Sequence, residues 1–413
     1  MNMTSQLGRE ALRDRNRLGL FGLALLPLML LLPFIYWPKI TDFDTQPTIV
    51  AGIALAFVFF WPSHERRISY GMVKLIVLVV AAIAIYVARG PETEFAIRYG
   101  LILLTFLALW NLGERGAADY LAPFVRATIV IWFAFGLYQT IGIRLGWDMD
   151  FTGRFVASYS GVPSITAEPS FYGSLSVLQI MILASNHVRR NIPFYVLAAM
   201  SVLMSGSLLA FLFFLFPVWL LPARWKLAGA LAVVVLLLLG VQVMESGFFA
   251  RVQKFQLSGL GSDIMGIDIS LNLRFGHIWY IFYENILREL SLVNSVDFFF
   301  EYNHWASRNP LIYPTSTDFI LPSGGELIFR SGPVGLLIML YIILFASRTA
   351  EERNMRLLKV GFVTACLLNP MSLANPFFIL YIHQRVGFQA RSSRSSASGP
   401  DRTEKTHVAH AST

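Results

Sequence analysis

The chain of 413 residues is 55% hydrophobic and only 14% charged, with a mean hydropathy of +0.59, a balance that a water-soluble domain does not keep over such a length. Its net charge of +8 and pI near 9.6 resemble those of a nucleic-acid binder, but the excess sits in short connectors and the tail, where positive-inside topology accounts for it, so no nucleic-acid partner is expected. The single cysteine, Cys366, excludes an intrachain disulfide and a cysteine-based metal site.

Residues 1–17 carry Arg9, Arg13, Arg15 and Arg17 and read as a cytoplasmic N-terminus. Apolar runs of membrane-crossing length follow near 18–37, 48–62, 70–88, 95–111, 121–142, 170–186, 191–205, 207–222, 226–244, 331–347 and 356–382. Pro370 and Pro376 break the last of these into a candidate hairpin, so the spans number about eleven or twelve. Leu18 to Trp37 is too long for a signal-peptide core and has no small-residue cleavage site after it, so it is expected to stay attached.

Counting alternately from the N-terminus puts Arg66 and Arg67, Arg189 and Arg190, Arg224 and Lys226, and Arg348 through Lys359 on the cytoplasmic side. The acidic connectors at Asp42/Asp44 and Glu92/Glu94 then fall outside, as do 143–169 and 245–330. The organisation expected is nine spans within 18–244, a large periplasmic loop at 245–330, further spans within 331–388, and a disordered tail at 389–413. Twelve crossings make that tail cytoplasmic, eleven make it external. The fold class is therefore an all-α polytopic membrane protein of the bacterial inner membrane, with the lipid bilayer as an obligatory partner.

Span centres carry essentially no ionisable groups; Lys74 is close enough to its span end to snorkel. That argues against an ion-driven pump but leaves a passive flippase open. No repeat and no pair of matching Gly/Pro-broken halves points to a secondary transporter.

Charge is concentrated instead in the loop 245–330, which holds Arg251, Lys254, Arg274, His277, Glu284, Arg288, Glu301, His304, Arg308, Glu326 and Arg330. Between Ser270 and Leu290 the period is helical: at ~100° per residue Ser270, Arg274, His277, Glu284, Asn285 and Arg288 fall within an arc of roughly 100°, and Leu271, Phe275, Trp279, Phe282 and Tyr283 fill much of the rest. Two readings stay open for this stripe. Its arginines meet lipid phosphates on an interfacial helix, or they face a groove and grip an anionic headgroup.

Further along, Glu301, His304 and Arg308 lie within one or two turns, and a Ser323-Gly324-Gly325-Glu326 turn leads to Arg330 at the start of the next span. Together these supply candidates for a proton acceptor and a cationic clamp, Arg308, Arg330 and Glu326 among the latter's residues. In the earlier outer loop Arg154 precedes Glu168-Pro169-Ser170, where Pro169 suits the first turn of a helix and Glu168 its mouth. A polar break at Ser205-Gly206-Ser207 divides the apolar stretch from Ile192 to Leu221 and reads as a tight turn. No Cys/His/carboxylate spacing suggests a metal, and no phosphate-binding glycine loop suggests a nucleotide, so no cofactor is expected.

This arrangement resembles the O-antigen polymerase and O-antigen ligase superfamily of bacterial envelope polysaccharide enzymes. The features that carry it are about a dozen spans, the Glu168-Pro169-Ser170 and Ser205-Gly206-Ser207 segments, one large late outer loop, and the run from Ser323 through Arg330 to Gly335. The chain departs from the family at Leu208, where an arginine often follows the second serine, and its loops show no clear Arg-x10-Gly repeat. The resemblance implies a class C glycosyltransferase-like architecture and a polyprenyl-diphosphate-linked oligosaccharide as substrate, with chain-length regulator and flippase proteins as candidate partners. It implies diphosphate binding by Arg274 and also by Arg154, Arg251 and Arg288, with Glu168, His304 or His277 as the base, or attack without one. A polymerase is preferred over a ligase because no second basic region stands out for a phosphorylated core acceptor.

Overall fold

The computed structural model describes residues 69–114, 121–147, 161–162, 164, 169–184, 191–220, 269–283, 298–309, 312–315, 320, 323–350, 352–368, 373 and 375–385. The spans read at 18–37, 48–62 and 226–244, the tail, and Arg154, Glu168, Arg251 and Arg288 lie outside them. Every regular element among the described residues is an α-helix.

The first three are α1 (Tyr70–Ala88), α2 (Thr93–Glu114) and α3 (Leu121–Arg144). Tyr70–Ala88, Thr93–Glu114 and Ala122–Ile143 are long and apolar enough to cross a membrane, consistent with an all-α membrane protein. Their exposed residues support this. Val73, Val77, Val80 and Val87 lie along α1 and Ile97, Leu101 and Leu104 along α2, rows that a water-facing helix does not carry. Lys74, near the start of α1, reaches back so that its Nζ lies 4.3 Å from the Tyr70 ring centroid.

α1 and α2 form an antiparallel hairpin. Ser69 caps α1 by accepting from the Met72 amide at 2.9 Å, and its hydroxyl donates to the Glu114 carboxylate at 2.8 Å, fastening the start of α1 to the end of α2. At the other end Gly90, at φ +70°, turns the chain in a left-handed conformation that a side chain would resist.

α4 (Pro169–Ala184), α5 (Ile192–Ser205), α6 (Leu208–Leu220) and α10 (Pro333–Arg348) are apolar but shorter, and the longest of them, 16 residues, extends only about 24 Å at 1.5 Å per residue. α5 and α6 are separated by the Ser205-Gly206-Ser207 break, where Gly206 at φ +60° ends α5 and donates to Leu203 O. The apolar region 356–382 is two helices, α11 (Arg353–Leu367) and α12 (Pro376–His383). Asn375 caps α12 with its side chain and Pro376 occupies the first position, a pairing that starts a helix and prevents one from running through.

α4 is packed on α3, α5, α6 and α12, and α12 also packs on α2 and α10. These two helices form the centre of the bundle, and from Tyr172 to Ala184 every residue of α4 is buried. A helix apolar all round needs partners all round, which is why their sequences show no polar face. Lys359 on α11 is buried as well: its ammonium donates to Thr349 Oγ1 at 2.6 Å and to the carbonyls of Ile382 and Gln384 at 2.9 and 2.6 Å. The basic connector expected up to Lys359 is thus largely helical from Arg353, and its last lysine caps the end of α12.

From the region 245–330 come α7 (Ile269–Trp279), α8 (Phe298–Ala306) and α9 (Ser323–Ser331). α7 continues as a single π-helical turn through Tyr283, so the helix expected over Ser270–Leu290 changes its winding at Tyr280. α9 packs on α1, α10 and α11. It joins α10 through Gly332, at φ +57°, and Pro333, and Gly335 lies so close to the Leu327 carbonyl that a Cβ would sit 2.0 Å from its oxygen.

Candidate functional site

A polar layer gathers where α9 meets the end of α1. In the nine-residue α9, Glu326 and Arg330 are one turn apart and form an ion pair at 2.9 Å, Nε to Oε1. The Arg330 guanidinium also donates through Nη1 to the Tyr86 hydroxyl. Its centre lies 4.9 Å from the Tyr86 ring centroid and 5.7 Å from that of Tyr99. Behind it Ser331 Oγ donates to Ala82 O at 3.1 Å, which commits its only proton, so Tyr99 is the donor in their 2.6 Å hydrogen bond.

Arg89, the residue after α1, donates to Phe329 O at 2.6 Å and thereby fixes α9 to the end of a membrane-spanning helix. Burial weakens the hold of Arg89 on its proton, and the nearby Tyr99 and Glu301 partly offset this. For Arg330 burial acts in the same direction, but Glu326 and Tyr86 outweigh it and the proton is held more firmly than usual. Two cations therefore share one set of neighbours. Nη1 and Nε of Arg330 are engaged as described, while Nη2 has no hydrogen-bond partner among the described residues.

α7 and α8 bring a further carboxylate to this layer. Tyr280, in the π-turn, donates to Glu301 Oε2 at 3.0 Å, and the Glu301 charge is felt at Arg89. α8 is held by two devices. Asn303 accepts from Thr315 N at 2.8 Å and donates to Thr315 O at 3.0 Å, and Tyr302 donates to Tyr313 O. Asn272 on α7 accepts from Tyr313 N at 2.8 Å, so one strip of chain clamps both helices. Phe298 packs edge-on against Phe329, with centroids 5.1 Å apart, which carries α8 onto α9.

Of the residues expected from sequence, Arg330 and Glu326 meet in this layer. His304, on the exposed side of α8, and Arg308, exposed two residues beyond its end, bond to each other, Arg308 Nη2 to His304 Nε2 at 2.5 Å. Since guanidinium can only donate, His304 accepts through Nε2 in this contact. Of the polar stripe expected on α7, the described members Arg274 and His277 face inward. Asn272, Arg274 and His277 are buried against the protein, and Phe275, Trp279 and Tyr283 are exposed. The reason is packing: Gly276 leaves room for the Tyr302 hydroxyl, and the His277 ring sits edge-on to Phe298 and Tyr302 at 4.9 and 4.5 Å. His277 is fully buried, and burial pushes its imidazole down to about 3, which makes it a poor proton acceptor at neutral pH.

Because the native state holds His277 neutral while an opened state protonates near pH 6.5, the stability of the α7–α8 unit is complete above that pH and falls as pH drops toward 3, by roughly 1.4 kcal/mol per unit. Amide exchange in α7 and α8, corrected for intrinsic rates, is expected to quicken about tenfold from pH 6 to pH 5. His277→Phe is expected to remove that pH dependence.

A second polar seam runs between α3, α4 and α5. Val162 N donates to Met204 O at 2.9 Å, and a Cβ on Gly161 would lie 2.2 Å from Ser205 O, so the segment before Glu168 is pressed against the end of α5. Ser164 is buried at φ +57°, held by its hydroxyl donating to Trp132 O and its carbonyl accepting from Gln139 Nε2, both at 2.9 Å. Gly173 of α4 faces Ser205 Oγ at 2.5 Å from its would-be Cβ. The structure thus joins two segments that sequence reading considered separately, the approach to Glu168 and the Ser205 break.

Sequence reasoning missed Arg89, Tyr86 and Tyr99. Their signal was faint: a tyrosine and an arginine three apart at a span end read as an ordinary membrane-boundary anchor. Among the described residues no group of His, Cys, Asp and Glu is arranged to hold a metal ion. Compared with family models, curated proteins and solved structures, the chain matches none of them.

Proposed function

We propose that the protein is a polysaccharide polymerase that joins polyprenyl-diphosphate-linked oligosaccharide repeat units at the outer face of the bacterial inner membrane, building O-antigen, capsule or exopolysaccharide. The observation that carries this reading is that Arg89 and Arg330 both act on Tyr86, with Glu301 beside the first and Glu326 beside the second, at the end of a helix long enough to cross the membrane. The diphosphate of a membrane-anchored donor lies at such a boundary, and planar guanidinium groups suit two phosphate oxygens at once.

In the reaction a hydroxyl of the acceptor sugar attacks the anomeric carbon of the donor. The new glycosidic bond forms as the bond to diphosphate breaks, and the leaving group departs with the electron pair. Arg330 and Arg89 stabilise the developing negative charge. A carboxylate takes the hydroxyl proton. Glu326 is occupied by Arg330, which favours Glu301 among the described carboxylates of the layer, with Glu168 and His304 the other acceptors considered. Arg274, to which the resemblance gives diphosphate binding, is buried on α7.

Deleting the gene and separating the cell's polysaccharide on a gel tests the assignment. A product of one repeat unit is expected; long chains left unattached to an acceptor instead identify a ligase.

A further inference from the structure

The face of α7 that the bundle leaves uncovered is aromatic. Phe275, Trp279 and Tyr283 follow one another at intervals of four, are 43–46% exposed, and stack in sequence with centroids 6.1 and 5.1 Å apart. The opposite face holds Arg274 and His277, both buried, and Asn272, in the turn before Phe275, is covered by the strip at Tyr313. A helix with its polar face in protein and its aromatic face outward is the inverse of a water-exposed amphipathic helix.

Its height is set by a short chain of contacts from a membrane span. Arg89 at the end of α1 bonds Phe329 O, the Phe329 ring meets Phe298 on α8 at 5.1 Å, and Phe298 meets His277 on α7 at 4.9 Å. α7 is therefore linked through α8 and α9 to the end of α1, the level at which that helix leaves the hydrocarbon. Tryptophan and tyrosine are the side chains that concentrate at that level, their rings in the acyl boundary and their polar atoms in the headgroups. The rings stack on one another, so their edges and not their faces are presented outward. That arrangement suits insertion among acyl chains better than stacking against a sugar ring.

We infer that α7 is a membrane-interface helix that lodges Phe275, Trp279 and Tyr283 in the headgroup and upper acyl region of the bilayer and turns its arginine and histidine inward. This does not depend on the enzymatic reading. It fixes the Arg89–Arg330 layer at phosphate depth whatever the lipid-linked ligand is.

The sole native cysteine, Cys366, is fully buried, so an introduced surface cysteine can be labelled selectively. A nitroxide on Trp279→Cys, in the full-length protein reconstituted into phosphatidylethanolamine/phosphatidylglycerol vesicles, is compared with labels on Val80→Cys, exposed on α1, and Glu92→Cys, exposed in the acidic connector. The ratio of oxygen to nickel-chelate collision at position 279 is expected to be several-fold above that at 92 and below that at 80, with Phe275→Cys giving the same result one turn away. A ratio at both positions equal to that at Glu92→Cys overturns the inference by placing the ladder in water. Shielding from both reagents overturns it too, because the face is then covered by protein or glycan.

Discussion

Arg330→Lys is expected to reduce the polysaccharide ladder to its shortest member while the protein stays at normal abundance in the membrane. The arginine spends Nε on Glu326 and Nη1 on Tyr86, and in the proposed reading Nη2 meets the donor phosphate, three directions fixed in one plane. A lysine ammonium preserves the charge beside Glu326 but has no rigid fork with which to hold Glu326, Tyr86 and a phosphate oxygen in those fixed directions. Loss of one charge-stabilising donor at a reacting diphosphate corresponds to about 100- to 1000-fold in rate. Arg330→Met is different, since it leaves Glu326 without its partner in a largely enclosed site and is expected to lower abundance as well. Combining it with Glu326→Met removes both charges, and is expected to restore abundance without restoring polymer. A full ladder from Arg330→Lys would show that the guanidinium serves only to hold α9 on α1.

The largest effect on stability is expected at Lys359. Its ammonium satisfies Thr349 Oγ1 and two carbonyls at the end of α12, and the side chain is 1% exposed. Lys359→Met fits similar volume but leaves Gln384 O without its ammonium donor and Ile382 O with Thr349 Oγ1 alone, at a cost of about 1–3 kcal/mol. Gln384 extends the consequence, because its amide donates to Ile182 O at the end of α4, so loosening the end of α12 also loosens the two central helices. Size-exclusion profiles in detergent after graded heating are expected to show an apparent midpoint lowered by several degrees, and abundance in the membrane to fall several-fold. An unchanged midpoint would show that another group caps α12.

Much of the helical layout was legible from hydropathy. The run read at 70–88 coincides with α1, and those read at 95–111 and 121–142 lie inside α2 and α3, because long apolar stretches bounded by Ser69, Glu92 and Thr93, and Gly146 leave little choice of element. The break at Pro376 was also visible, since proline at a first helical position carries its own mechanism. The site was less legible. Periodicity located a polar and an apolar face on α7 but could not say which one packs, and at a membrane boundary the usual assignment inverts. The burial of Lys359 was not legible, because the positive-inside rule counts basic residues without knowing what packs across from them. Tyr86 comes from α1 and Arg89 from the residue that caps it, Tyr99 from α2 and Arg330 from α9, and Tyr86 and Arg330 are 244 residues apart. Only the docking of α9 on α1 brings those residues into one layer, and no local pattern announces it.

The central claim is that the chain itself forms glycosidic bonds between lipid-linked repeat units. Purified protein mixed with polyprenyl-diphosphate-linked repeat units in detergent, with no membrane to cross and no acceptor other than the repeat unit, tests it directly. The account predicts a ladder of products extended by whole repeats and its absence with Arg330→Lys. Unextended substrate from folded, full-length protein would contradict it and leave transport or ligation as the activity.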